Sequence, residues 1–152
     1  MWPRKLGAVT RALEASWCQD TCDPADQDAW SPENPSRGQC GSTALVLNDI
    51  YGGELLVAEV HLLDGALQGY HYWNRLPGGE EVDLTRTQFS EDEVVQVPRA
   101  LTRPPGQPRR CAEQYTALRD RVFEVLHLES ATTQPSQSAI APTNSHGLDR
   151  RE

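Results

Sequence analysis

The sequence predicts an α+β domain in which a buried, cysteine-bearing helix packs on an antiparallel sheet. Three observations lead there. An almost uninterrupted apolar run, Ala44 to Ile50, follows Cys40 and stops at Gly52-Gly53, as a central helix with a glycine stop does. Two alternating segments flank Leu76-Pro77-Gly78-Gly79, the chemistry of a hairpin turn. A last segment carries Cys111, Tyr115, Leu118, Val122 and Val125 at the spacing of one helical face.

In chain order, Trp2, Leu6, Val9, Leu13 and Trp17 predict a first helix with one buried stripe, with Pro3 in its first turn. From Asp20 to Gly38, three prolines and many Asp, Asn and Ser residues predict a long loop, a length at which loops are often functional. The buried helix spans Cys40 to about Asp49. Strands are expected at Leu55–Leu63, Gly69–Leu76 and Glu81–Thr85, with Tyr70 and Tyr72 on one face of the second and His71 and Trp73 on the other. A proline-rich connection from Pro98 to Pro108 leads into the last helix. The region 130–152, rich in Ser, Thr, Gln, Pro and Asn, is expected to be a disordered tail, which leaves 1–129 as a single domain.

Composition excludes several functions. With 14 Lys and Arg against 22 Asp and Glu, the formal charge is −8, the wrong sign for a phosphate-neutralising surface, so no nucleic-acid partner is expected. No apolar run approaches the length of a membrane span, and the N-terminus lacks an apolar leader. No membrane association is expected. Four cysteines without a secretion signal read as thiols in a reducing cytoplasm.

Chemistry concentrates around Cys40, in Gly38-Gln39-Cys40-Gly41-Ser42, where a loop becomes a helix. Backbone N–H groups and the helix dipole favour a thiolate there, so a lowered thiol pKa is expected. The same groups, with the Gln39 amide, would hold an oxyanion. His71 is the candidate base and Asp83 its orienter, completing a Cys–His–Asp constellation. Hairpin parity tests the pairing. Pairing 75 with 79 sets 71 opposite 83; pairing 76 with 79 sends His71 and Asp83 to different faces. The functional reading requires the longer loop or a bulge at Gly79. It also requires Cys40 sulfur within about 4 Å of one His71 nitrogen, with Asp83 on the other.

This order of residues, on a helix and then a hairpin, looks like the papain-like/transglutaminase-like cysteine folds. A more specific similarity is to the YunG-like family of small uncharacterised bacterial proteins. It rests on Ser16-Trp17, Trp30-Ser31-Pro32-Glu33-Asn34-Pro35, Gly38-Gln39-Cys40-Gly41-Ser42-Thr43-Ala44, Asp49-Ile50-Tyr51-Gly52-Gly53, His71-Tyr72-Trp73-Asn74 and Asp83-Leu84-Thr85-Arg86-Thr87-Gln88-Phe89. The resemblance implies a fold and a set of positions rather than a reaction. In papain the nucleophile stands three residues after the position of this cysteine, where this chain has Thr43. The papain likeness is therefore architectural.

The expected function is a cysteine-dependent hydrolase or acyltransferase acting on an amide or thioester. Its substrate would be a small molecule or peptide held beside Trp17, Trp30, Trp73 and Asn74. The alternative is an inactive binding or scaffold domain of the same fold with a Trp-lined groove. No cofactor or metal is expected. Cys18 and Cys22 lack the second ligand pair of a zinc site, and Asp20, Asp23, Asp26 and Asp28 lack calcium-loop spacing. His61 reads as structural.

Overall fold

A computed structural model of the chain describes residues 4–133. Its order is α1 (Leu6–Ser16), α2 (Cys40–Tyr51), β1 (Glu54–Leu62), β2 (Leu67–Arg75), β3 (Glu81–Val82), β4 (Glu93–Val95), β5 (Arg99–Leu101) and α3 (Ala112–Thr133). The α+β class stands, with the three helices on one side of an antiparallel sheet. Among the described residues no helix is long and apolar enough to cross a membrane.

Helix α1 starts at Leu6 rather than at Trp2, because Lys5 is extended; Trp2 and Pro3 lie outside the described residues. Val9 and Leu13 are fully buried, and the chain leaves the helix at Trp17. Helix α3 begins after Cys111, which accepts from Tyr115 N–H as a cap instead of joining the inner stripe. That stripe is Tyr115, Leu118, Val122 and Leu126. The helix continues to Thr133, past the expected boundary at 129. The rest of the expected tail, 134–152, lies outside the described residues.

The three helices enclose one core. Val46, Leu47 and Ile50 of α2 meet Leu13 of α1 and Leu118 and Val122 of α3. Each such side chain contributes about 1.5–3 kcal/mol on burial. Helix α2 is buried on most sides because it also faces the sheet.

β1 is central. β2 pairs along one side of it, while β5 and β4 share the other side at Leu55–Val57 and Val60–Leu62. β4 and β5 went unpredicted, since three residues each are too few for a period-2 signal and Pro98 separates them. Leu55, Asn74 and Val82 form one cross-strand row. Val82 joins the helical core, and Asn74 Nδ2 donates to Ala44 O of α2 at 2.9 Å, so this row faces the helices. The opposite face carries Leu56, Ala58, Trp73 and Val95, with His71 beside Ala58.

The predicted 20–38 loop is packed rather than open. It contains 3-10 turns at Gln19–Thr21 and Pro24–Ala29 and a bridge between Ser31 and Asn34. Three of its five carboxylates are matched by arginines: Asp20 with Arg121, Asp23 with Arg110 and Asp26 with Arg37. The acidic loop is thus partly neutralised from within the chain.

Candidate active site

The hairpin turn decides the site. Leu76 N–H bonds Glu80 O at 2.8 Å, Asn74 pairs with Val82 and Arg75 with Glu81, leaving Pro77-Gly78-Gly79 as the loop. Gly79 takes φ +95°, a conformation that glycine adopts without steric cost. Neither of the two expected registers occurs. Arg75 pairs with Glu81 instead of residue 79, a register shift of two that preserves parity, so His71 and Asp83 still emerge on the same face. They meet diagonally, because β3 ends at Val82 and the chain turns at Asp83 instead of continuing as a strand to Thr85. Thr85 N–H donates back to Asp83 Oδ1 at 3.3 Å, an Asx-type turn that aims the carboxylate.

His71 is fully buried, and its Nε2 lies 2.7 Å from Asp83 Oδ2. The same oxygen accepts from Arg86 Nε at 2.7 Å. Although burial opposes it, these hydrogen bonds and positive charges hold the Asp83 carboxyl below its ordinary pKa. An ionised Asp83 accepts only, so Nε2 carries the proton and Nδ1 presents a lone pair. Nδ1 is buried and has no hydrogen-bond partner. The ring is fixed on both sides: Trp73 stacks on it at 5.2 Å and Phe89 meets it edge-on at 4.8 Å. Arg86 lies over the Trp73 ring at 5.1 Å. Arg86 and Phe89 stood inside a motif read from the sequence, yet neither was identified as part of the site. The turn at Asp83 was the missing signal.

Cys40 opens α2 with Gln39 as its N-cap residue. The residue is partly exposed, while its sulfur occupies a desolvated position that pushes the thiol up to about 11. The Tyr72 and Gly41 backbone N–H groups oppose this shift, and the charges of Asp26 and Asp83 add to it. The expected lowering of the Cys40 pKa is therefore corrected: loss of solvation outweighs the helix terminus. The Tyr72 N–H contact sets Cys40 at the edge of β2, one residue along from His71. No hydrogen bond joins Cys40 to either ring nitrogen.

Gln39 does not have its whole amide free for an oxyanion. It is fully buried, accepting from Thr21 Oγ1 at 2.8 Å and donating to Cys18 O at 3.0 Å. It ties the loop to the start of α2. Gly38 assists at φ +71°, where an added Cβ would stand 2.4 Å from Cys22 Sγ. Trp17 belongs to the helical core and donates to Thr43 Oγ1 at 2.9 Å, so it lines no groove. Thr43, the position matching papain's nucleophile, is buried as that acceptor. Asn74 is buried against Ala44. Trp30 is half-buried in the loop and donates to Pro35 O at 2.9 Å. Of the four expected contact residues, Trp73 alone is seen to touch the His71 ring.

Cys18 is exposed, and the buried Cys22 thiol, raised by burial to about 12, faces Arg37 O at 3.2 Å. Among the described residues no three His, Cys, Asp or Glu side chains gather as a metal ion requires.

A sequence profile of the family described as YunG protein matches residues 5–127, covering α1, α2, most of α3 and the whole sheet. The chain belongs to the YunG family. The curated relative described as "Uncharacterized protein YunG", from Bacillus subtilis (strain 168), is 34% identical over 81 residues, or 53% of this chain. The chain spans 60% of the length of that YunG relative. No solved structure matches the chain.

Proposed function

We propose that the chain is a cysteine-dependent hydrolase or acyltransferase that cleaves an amide or thioester, on an arrangement resembling papain-like/transglutaminase-like enzymes. One observation carries the reading. His71 has its Nε2 proton committed to Asp83 and its Nδ1 lone pair buried without a donor. An unsatisfied buried acceptor costs about 1–3 kcal/mol, and a reaction that delivers a proton to it relieves that cost. Cys40, at the neighbouring edge of β2, is the proton source. At a thiol pKa near 11, only roughly one Cys40 in ten thousand is ionised at pH 7. A preformed thiolate–imidazolium pair is therefore not the resting state. His71 acts instead as a general base during attack. The S–H proton passes to Nδ1 as sulfur bonds the substrate carbonyl carbon. Free N–H groups at the start of α2 stabilise the oxyanion, and His71 returns the proton to the leaving amine or thiolate. Water, or another acyl acceptor, then releases the acyl group and restores the thiol.

The second reading, an inactive binding domain of the same fold, draws on the high thiol pKa and on the missing Cys40–His71 hydrogen bond. Mass analysis after exposure to activated thioesters separates the two. Acylation at Cys40 that is lost in His71→Ala supports the enzyme. Acylation spread over all four cysteines irrespective of His71 favours the binding domain.

A further inference from the structure

The proposed nucleophile stands at the end of an unpaired sheet edge. Leu76 N–H points outward to Glu80 O, and Asn74 lies opposite Val82 two residues earlier. Antiparallel strands alternate their outward groups with a period of two, so Tyr72 and Tyr70 direct their N–H and C=O groups to the same outer edge, up to the bulge that shifts the β1–β2 register beyond Gly69. The Tyr72 N–H, which counters part of the rise in the Cys40 pKa, agrees with that direction. β3 ends at Val82, and among the described residues no strand pairs with the outer side of β2 before Asn74. Cys40 thus stands beside the Tyr72 rung, and the Tyr70 rung beyond it is open.

The surroundings keep that edge accessible. Tyr70 is 53% exposed and Gln68 is exposed. A Cβ added at Gly41 or Gly69 would meet nothing within 4 Å. Unpaired backbone groups on a sheet edge are a template for an added strand.

We infer that the substrate is an extended peptide segment that adds to the β2 edge at Tyr70 and thereby carries its scissile carbonyl to Cys40. This rests on the cysteine-enzyme reading above and names its substrate class. Rungs two residues apart are about 6.5–7 Å apart along the strand. The attacked carbonyl therefore lies about two residues beyond the substrate residue bonded to Tyr70. Recognition comes from main-chain hydrogen bonds, with side-chain preference limited to alternate positions.

The test compares three probes on the full chain, with labelling of Cys40 read by mass: iodoacetamide, a short β-branched peptide chloromethyl ketone, and the same peptide N-methylated at its pairing amides. The peptide is expected to label Cys40 at least about tenfold faster than its N-methylated form, the factor that two backbone hydrogen bonds of ordinary net strength supply. In Tyr70→Pro, a change an edge strand accommodates when the lost N–H faces outward, the peptide-to-iodoacetamide rate ratio should fall. Equal rates for the two peptides on the native chain would overturn the inference without any variant. The enzyme reading fails separately, through acylation by small thioesters that does not depend on His71.

Discussion

Asp83 Oδ2 receives two donors at 2.7 Å, His71 Nε2 and Arg86 Nε, on one oxygen. The carboxylate thereby fixes a tautomer inside the molecule and an arginine at its surface. The buried imidazole is held by charge below and by the Trp73 ring beside it.

This pairing has a signed pH dependence. The Asp83 carboxyl lies below its ordinary value of 3.8 when folded. Its contribution is therefore present above the unfolded pKa and is lost as pH falls through the folded one. Asp83→Asn should lower stability at pH 7 by roughly 2–3 kcal/mol, leaving His71 and Arg86 without their anion. The gap from the parent should narrow below about pH 4. Urea denaturation across pH measures both, and a constant gap would contradict the assignment.

Gly38→Ala should be severe. The new Cβ would meet Cys22 Sγ at 2.4 Å and Asp26 Cβ at 2.8 Å, in a backbone at φ +71°. A loss of roughly 2–4 kcal/mol is expected from strain and overpacking together. Thermal unfolding unchanged within a degree would mean that the loop does not hold the start of α2 as described.

At alkaline pH the thiols act with the opposite sign. Burial raises Cys22 to about 12 and Cys40 to about 11, from 9.0. Their contribution is complete below the unfolded value and is lost as pH rises through the folded ones. Stability should decline from about pH 9 upward, and more gently in Cys22→Ala than in the parent. Identical slopes would contradict a desolvated Cys22.

Much of the site was legible because strand parity is discrete. His71 and Asp83 share a face in any register shifted by two, so the face survived an error in the exact pairing. What the sequence did not reveal depends on tertiary partners. The indole of Trp17 found Thr43, and the Gln39 amide found Thr21 and Cys18, contacts between segments far apart in the chain. The Cys40 pKa was misjudged for a related reason. A helix start is visible in sequence, whereas the desolvation that outweighs it comes from packing against β2.

The central claim is that His71 takes the proton of Cys40, and the pH profile of Cys40 acylation tests it most directly. With a small activated thioester and a mass readout, the native chain should acylate at neutral pH and reach a plateau below about pH 9, because the base and not the free thiolate limits the rate. His71→Ala should acylate only through the thiolate, with a rate rising about tenfold per pH unit towards the thiol pKa near 11. Superimposable profiles for the two proteins would contradict the account.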